Sequence, residues 1–340
     1  MNQCNVIAID LAKNVFQVCG LTKHNKVLFN KSLKRRQLAQ FLVNQPPTQV
    51  AMEACYSSHY WARCFIAMGH TVSLLPAQHV TPFVRGNKSD HNDALAIAEA
   101  FRRPNIRPVP VKTVEQQEIQ SLHRIRDRLI KQRTAMMNQI RGLLAEYGVI
   151  APQGHKAFIT LLHDINEQPL LASSTYLKEQ LLETIDEYHW STKRIDHIAH
   201  QLEDIAKQNP LCQLLLTIPG IGTVNSTLLY SAIGDGSQFA NARELAVWLG
   251  LTPRQYSSGN SFSSGGITKR GNRQLRKQLV HGARATLCRC KNKSDRVSQW
   301  ANALIARRGF NKACVAMAAR IARTSWILLN RKEPYKAINV

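Results

Sequence analysis

The sequence contains no long apolar run. Its most apolar stretch, ACVAMAARIARTSWILL near the C-terminus, is interrupted by Arg320 and Arg323, whereas a membrane-spanning helix needs about 20 apolar residues in succession. The N-terminal residues do not combine a charged segment with an apolar one, which is the pattern of a secretory signal. We therefore expect no membrane partner, and a protein that works in the reducing cytoplasm.

Cysteines in metal-binding spacing are also lacking. The eight cysteines are scattered, and the closest pair, Cys288 and Cys290, has one intervening residue where zinc sites usually have two or more. No matching cluster of histidine and cysteine accompanies this pair. We expect the cysteines to be small buried apolar residues, and we expect no zinc site.

Acidic residues are scarce. The chain has 45 Lys and Arg against 22 Asp and Glu, a net charge of +23 and a pI near 10.1. The imbalance is greatest in residues 251–340, where 19 basic residues face only Asp295 and Glu333. Such a surface favours a polyanionic partner, because neutralising phosphates drives affinity for nucleic acids. Ribosomal and membrane-surface proteins share this charge and stay as alternatives.

The first part of the chain is predicted to be an α/β domain over residues 1–110. Apolar strand-like runs and helical runs follow one another in the order βββαβαβα, from CNVIAID (4–10) to the helix SDHNDALAIAEAFRR. Three prolines in PNIRPVPVK then break regular structure.

The remainder is predicted to be helical. Residues 111–208 form a predicted coiled-coil dimerisation region: Leu122, Leu129, Met136 and Leu143 recur every seven residues, and the second helix carries a longer seam. That seam is Leu181, Ile185, Tyr188, Thr192, Ile195, Ala199, Leu202 and Ala206. An amphipathic helix that packs within one chain is the alternative, and residues 148–173 are predicted to be an irregular loop. Residues 209–340 form a predicted basic, mainly helical domain.

Four acidic residues are expected to meet in the first domain. Asp10 ends the first strand, Glu53 lies in the fourth, and Asp90 and Asp93 begin the last helix on one face. Oxygen ligands at this density suit Mg²⁺ or Mn²⁺, and a pair of such ions can orient a phosphodiester. Singly, Asp90 and Asp93 could be helix-start acids and Asp10 a turn residue, but Glu53 in an apolar run needs a partner. His91 is interpreted as a solvated helix-start residue.

A tight turn, IPGIG at 218–222, joins two predicted helices. Backbone N–H groups near Pro219, Gly220 and Gly222 could face a phosphate, as helix N-termini do. The pattern resembles a helix-hairpin-helix, which binds DNA backbones without reading sequence. Turns of this composition also simply join packed helices, and that alternative stays open.

The serine-rich stretch LTPRQYSSGNSFSSGG (251–266) has the composition of a flexible linker. It lies between the apolar run ELAVWLGL and the basic run TKRGNRQLRK. The alternative is a loop that presents one hydroxyl to a nucleic acid. Nearby basic side chains could then hold a phosphate: Arg254, Lys269, Arg270, Arg273, Arg276 and Lys277.

Several of these motifs resemble one family. IAIDLAKNVFQV, AMEACYSSHYW and NKSDHNDALAIAEA resemble the RuvC-like, RNase H-fold domain of DEDD-type insertion-sequence transposases. These are the Piv-like DNA recombinases of the IS one-ten and IS eleven-eleven group. The family's tetrad of acids falls on Asp10, Glu53, Asp90 and Asp93, with no departure. IPGIG, the run to GLTPR and GITKRGNRQLRK resemble the family's second half.

The resemblance implies a mechanism and partners. It identifies Ser258, followed by Gly259, as the nucleophile; glycine there lets backbone approach a phosphate closely. Other members of the family carry varied residues at the position before this serine, where the present sequence has Ser257. Ser257 is therefore the alternative nucleophile. The resemblance further implies a phosphoserine-linked DNA end, a bridge non-coding RNA that pairs with donor and target DNA, and dimers or tetramers in which different protomers supply the acids and the serine. Such a bacterial protein would be nucleoid-associated.

Two other functions compete with this one. The first is a RuvC-like nuclease or Holliday-junction resolvase without the serine step, and the second is a non-catalytic nucleic-acid-binding protein.

Overall fold

Strand-forming runs near the N-terminus build one five-stranded sheet. In this computed structural model, residues 4–87, 89–150, 153–164, 175–259 and 261–336 are described, and they divide into two units, residues 1–113 and 114–340. The strands of the first unit are β1 (Val6–Asp10), β2 (Val15–Leu21), β3 (Val27–Lys34), β4 (Gln49–Glu53) and β5 (Thr71–Leu75). Their order in the sheet is β3-β2-β1-β4-β5. The first three strands pair antiparallel, and β1, β4 and β5 pair parallel.

Helices cover both faces of this sheet because its strands alternate two sets of buried side chains. On one face, α1 (Arg35–Val43) and α2 (Ser58–Ala67) pack on Ile7, Ile9 and their neighbours. On the other face, α4 (Asp90–Phe101) packs on Val6 and Ala8. The predicted order βββαβαβα is confirmed, with a short helix α3 (Ala77–Val80) and a 3-10 turn (Thr81–Phe83) added before α4.

The first part of the second unit is an antiparallel pair of long helices, α5 (Val114–Ala145) and α7 (Thr175–Gln208). Early residues of α5 share a cluster with late residues of α7, and late residues of α5 with early ones of α7. The two clusters include Ile119 with Ile195 and Leu202, and Ile140 and Leu144 with Leu181 and Ile185. The predicted seam of α7 is therefore largely buried within the chain. Dimerisation through this region stays a prediction.

Two details of the middle region differ from the sequence prediction. Residues 155–164, inside the stretch predicted to be an irregular loop, form α6, which buries Phe158, Leu161 and Leu162 against α5 and α7. Those three residues lie at helical spacing, so the signal was present but short. On α5, Leu143 is 38% exposed while Ile140 and Leu144 are buried. The predicted seven-residue stripe is therefore wrong at that position.

The C-terminal part is mainly helical, as predicted. Its elements are α8 (Pro210–Leu216), α9 (Thr223–Ile233), α10 (Ala242–Trp248), β6 (Pro253–Ser258), β7 (Ser261–Ile267), α11 (Arg273–Cys288), α12 (Arg296–Arg308) and α13 (Phe310–Arg331). The helices share one apolar core. The prediction of a flexible serine loop is wrong, because β6 and β7 form an antiparallel hairpin there. The predicted division of this unit near residue 208 stays a prediction.

Two expectations about composition can be compared with the described residues. Among them, no helix has the length and apolarity that crossing a bilayer requires. The cysteines are free thiols, and Cys19, Cys212, Cys290 and Cys314 are buried as expected, whereas Cys288 is exposed. Burial raises the pKa of Cys19 to about 11, which makes its thiol unreactive at neutral pH.

The turn between α8 and α9 packs directly on α11. Gly220 has a φ of +91°, and a Cβ on Gly282 of α11 would collide with the Gly220 carbonyl oxygen. The buried Asn225 side chain donates from Nδ2 to the Gly220 and Gln278 carbonyl oxygens, each at 3.2 Å. This close backbone approach fixes the turn against the basic helix.

Gly282→Ala is therefore expected to destabilise the protein, by about 1–3 kcal/mol in unfolding free energy because the site is already filled. Gly142 in α5 is the matched control, since a Cβ there meets open space, and Gly142→Ala should stabilise by up to about 1 kcal/mol through helix propensity. Urea denaturation of both variants measures the effect. If both variants changed the free energy of unfolding in the same direction, the contact at Gly282 would not be tight.

Candidate functional site

Strand alternation sends two acidic side chains to one face of the sheet. Val6 and Ala8 of β1 face α4, so Asp10, two residues on, faces the same way. Ala51 of β4 also faces α4, which puts Glu53 on that side. Because β1 and β4 are parallel neighbours with Ile9 opposite Met52, Asp10 and Glu53 end adjacent strands at the same edge.

Helix α4 brings the other two acids to this edge. Its N-cap Ser89 accepts a hydrogen bond from Asn92 N at 3.3 Å. Asp90 and Asp93 lie in the first turn. Carboxylate oxygens of Asp10, Asp90 and Asp93 all lie within 4.8 Å of one another. The predicted convergence of these three acids is confirmed as geometry, and we call this set the acidic cluster.

Electrostatics within the acidic cluster are unfavourable. Burial, followed by the nearby charges of Asp93, Asp90 and Glu53, raises the pKa of Asp10 from 3.8 to about 6. Glu53 lies outside the 4.8 Å group but is close enough to contribute to this shift. Like charges held together in this way favour a bound cation.

The donors of the acidic cluster fit a hard divalent cation. They are carboxylate oxygens, which Mg²⁺ and Mn²⁺ prefer, and no cysteine or histidine among the described residues belongs to such a group. Asp90 is exposed, and Asp10 and Asp93 are half-buried. The cluster is therefore open to a ligand that carries its own oxygens, such as a phosphate.

A chain of amides that the sequence reasoning missed connects the sheet to α4. Gln17 of β2 pairs with Asp10 in the strand register. Its Nε2 donates to Asn30 Oδ1 at 2.6 Å, and its Oε1 accepts from Ser32 Oγ at 2.6 Å. Asn30 Nδ2 in turn donates to the backbone oxygen of His91 at 3.1 Å. The polar Gln17 within the apolar run VFQVCGLT was the available signal.

The serine hairpin separates its two neighbouring hydroxyls. Ser258 pairs with Ser261 and Tyr256 with Ser263, while Ser257 pairs with Phe262. Since successive residues of a strand face opposite sides, Ser257 and Ser258 lie on opposite faces of the hairpin. Ser258 Oγ is exposed and 3.4 Å from Ser261 Oγ. Gly259 follows with a φ of +54°, a backbone conformation that favours glycine.

The base of the hairpin is held by close backbone contacts. A Cβ on Gly250 would collide with the backbone of Arg270, and one on Gly271 with the Trp248 carbonyl. Lys269 N donates to Gly250 O at 3.1 Å. Lys269 itself has a φ of +56°, so the two ends of the hairpin meet in a tightly determined backbone arrangement.

The predicted phosphate-binding side chains divide into two groups. Arg254, Lys269, Arg270 and Arg273 are exposed around the hairpin and its exit. By contrast, Arg276 Nη1 donates to the Leu249 and Arg270 carbonyls at 2.9 and 2.8 Å, and Lys277 Nζ lies 3.0 Å from Asp127 Oδ1. These two cations already have partners in the protein, and their contact with nucleic acid stays a prediction.

The IPGIG turn joins two helices, α8 and α9, as predicted, while its assignment as a helix-hairpin-helix stays a prediction. Pro219 and Gly222 are exposed, and Gly222 is the N-cap of α9 with no side chain to cap the helix. The Gly220 carbonyl is occupied by Asn225. Phosphate binding by this turn stays a prediction.

Comparison with known proteins decides the family. Residues 7–149 match the DEDD family model of IS110, which is described as Transposase, and residues 212–299 match the model described as Transposase IS116/IS110/IS902 family. The chain is 43% identical to the transposase for insertion sequence element IS1111A of Coxiella burnetii over 99% of this chain and 92% of that protein. The chain belongs to the IS110 transposase family. It is thus a DNA-cleaving and DNA-joining enzyme by family, as the resemblance implied.

Further relatives agree with this assignment. A probable family 20 transposase of Pseudomonas aeruginosa is 44% identical over 97% of this chain and 98% of its own length. The pilin gene-inverting protein of Moraxella bovis is 28% identical over 80% of each chain. The matches cover both units of the transposase, so both the acidic cluster and the serine hairpin lie in matched regions.

In the metal-free protein, Asp10→Asn is expected to raise the melting temperature at pH 8 and to lose this advantage as the pH falls toward 4. The folded-state pKa of Asp10, about 6, exceeds the ordinary 3.8. The folded protein therefore binds the proton more tightly, and wild-type stability declines as the pH rises from about 4 to 6. Asparagine removes the charge that causes the decline.

Thermal denaturation of both proteins in a chelator across this pH range measures the difference. Asp186→Asn, at an exposed position on α7, is the control and should follow wild type at every pH. If the difference in melting temperature between Asp10→Asn and wild type were the same at every pH, the raised pKa of Asp10 would be contradicted.

Proposed function

We propose that this transposase cuts donor and target DNA through attack by Ser258, with Mg²⁺ or Mn²⁺ held by Asp10, Glu53, Asp90 and Asp93 of a RuvC-like domain. The observation that carries the proposal is the acidic cluster, whose carboxylates lie within 4.8 Å of one another. Family membership supplies the DNA substrate. The hairpin supplies an exposed hydroxyl at the end of a strand.

The proposed step exchanges one phosphate ester for another. Ser258 Oγ bonds to phosphorus, the bond from phosphorus to the leaving sugar oxygen breaks, and the serine proton passes to that oxygen or to water. The number of phosphate ester bonds and their charge are unchanged. The step is therefore reversible, and the DNA end can be rejoined. A bound divalent cation would stabilise charge on the phosphate oxygens. Serine is a weak nucleophile at its free pKa and requires such activation.

Ser258 is favoured over Ser257 by its neighbours. Arg254 and Tyr256 lie on its face of the hairpin, because a Cβ on Gly265 would be 3.8 Å from both Arg254 Cβ and Tyr256 Cε2. Ser257 shares its face with Phe262. An arginine on the same face can bind a phosphate of the same DNA strand in two places and balance its charge.

The partners follow from charge and resemblance. The net charge of +23 is sufficient for DNA together with the bridge RNA that the family resemblance implies. Exposed Lys269, Arg270 and Arg273 and the turn at Pro219 and Gly222 are the proposed contacts. Exposed Trp190 on α7 supports a homo-oligomer through the helical pair. Such a protein would act at the bacterial nucleoid.

The alternative is a metal-dependent nuclease or junction resolvase that uses water instead of Ser258. The acidic cluster favours it, because the cluster forms within the first unit alone. The two functions differ in one product, the covalent protein–DNA adduct.

Wild-type protein, purified from cells that carry the complete insertion element, is expected to form this adduct with DNA of the element's ends. Ser258→Ala should abolish both adduct and strand cleavage, lowering the rate by at least about 10³-fold, in the range typical for loss of a catalytic nucleophile. Denaturing electrophoresis of labelled DNA, with and without protease, detects the adduct.

Ser257→Ala is the matched control, since it removes the neighbouring hydroxyl from the opposite face, and it should retain adduct formation. Cleavage by Ser258→Ala without an adduct would instead support the resolvase. Sequencing the RNA that co-purifies with the protein tests the bridge RNA separately, and random cellular RNA would contradict it.

A further inference from the structure

Two aromatic side chains of the serine hairpin are unusually exposed. Tyr256 is 61% exposed and Phe262 is 65% exposed. They lie on opposite faces, because Tyr256 pairs with Ser263 and Phe262 with Ser257. Tyr256 shares the face of Ser258, two residues before it. Sequence motifs had assigned no role to either ring.

The ring of Tyr256 rests against the second strand. Gly265 of β7 has no side chain, and a Cβ there would meet Tyr256 Cε2 and Arg254 Cβ at 3.8 Å. These are ordinary van der Waals distances, so Arg254 and the Tyr256 ring both lie beside Gly265 on one face of the hairpin. Arg254, Tyr256 and Ser258 therefore form a row along one face, in the order cation, aromatic ring and hydroxyl.

The charge around this row fits a polyanion. The sequence has no Asp or Glu between Glu244 and Asp295, a stretch that contains the whole hairpin and α11. Lys269 and Arg270 at the hairpin's base are exposed. An exposed aromatic ring among basic side chains is the combination with which proteins stack unpaired bases while contacting the backbone. An apolar protein partner would not require this excess of cations.

We propose that Tyr256 stacks on the DNA base beside the phosphodiester that Ser258 attacks, and so holds that phosphate in register with the hydroxyl. The inference rests on the proposed function, since Ser258 defines which bond is attacked. Arg254, on the other side of the ring, binds the next phosphate along the strand. Ser258 is the last residue of β6, so a base stacked on Tyr256 places its neighbouring phosphate at the end of the hairpin.

The test uses 2-aminopurine, whose fluorescence is quenched by stacking, in place of each base in turn across the junction between element end and flanking DNA. The full-length protein, purified from cells that carry the element, is used with Ser258→Ala so that no bond is cut. Quenching at one position is expected. Adding Tyr256→Ala should remove it and weaken binding of that DNA by about 5- to 150-fold, the range for loss of one stacked base.

Two variants separate stacking from a general effect on the hairpin. Tyr256→Phe keeps the ring and should restore both quenching and affinity. Phe262→Ala removes an equally exposed ring from the opposite face and should leave both unchanged. Equal losses in Phe262→Ala and Tyr256→Ala, or quenching that survives Tyr256→Ala, would overturn the proposal.

RNA of the same sequence is the second arm of the experiment. A Tyr256→Ala effect confined to the RNA would show that the ring binds RNA, which also overturns the proposal. The outcome is distinct from that of the adduct experiment. Loss of Tyr256-dependent quenching with a normal adduct leaves the serine mechanism standing and overturns the stacking proposal. Normal quenching without any adduct removes the serine mechanism, and with it the link between the stacked base and an attacked bond, while stacking itself is retained.

Discussion

Mutual repulsion among carboxylates at one edge of the first unit's sheet is the constraint around which that unit is arranged. Asp10 and Glu53 end parallel neighbouring strands, and α4 adds Asp90 and Asp93 to the same face. Packing of Ala94 and Ile97 on β1 and its neighbours holds α4 in place despite this repulsion. Burial first, and then the charges of Asp93, Asp90 and Glu53, raise the pKa of Asp10, and a divalent cation would relieve the repulsion between the carboxylates.

The serine hairpin, which carries the proposed nucleophile, is held in place by backbone contacts. A two-stranded ribbon is marginal in water by itself, yet here the close backbone contacts at Gly250 and Gly271 hold its ends. The far end stays exposed, with small side chains around Ser258. A hydroxyl on such a ribbon has a defined face and little steric protection, which suits attack on a large substrate.

The order of elements could be predicted from the sequence because each strand and helix has a local pattern. Apolar runs such as CNVIAID and the Ser89 cap of α4 identify their elements without knowledge of the fold. The four acids were expected to meet because they lie at strand ends and at the start of a helix, and the family resemblance then matched the same four residues. In the structure, Asp10, Asp90 and Asp93 converge. The amide chain through Gln17 and Asn30 depends on strand register, which pairs residues far apart in sequence.

The hairpin escaped prediction for a related reason. Serine and glycine have the composition of a linker, and only the cross-strand pairs Tyr256–Ser263 and Ser257–Phe262 reveal a sheet. The sequence also left open which helix packs on the apolar seam of α7, because the same spacing is found in helix pairs within one chain and in dimers. In both cases the deciding contact is non-local.

Binding of Mn²⁺ tests the central claim, that the acidic cluster holds a divalent cation, most directly. Loss of the free-ion electron paramagnetic resonance signal during titration at pH 8 measures binding to wild type and to Asp10→Asn. The account predicts saturable binding by wild type, displacement by Mg²⁺, and binding at least about tenfold weaker in Asp10→Asn, since losing even an outer-shell partner of a ligand typically costs about 10- to 100-fold in affinity. Equal binding by the two proteins would contradict it.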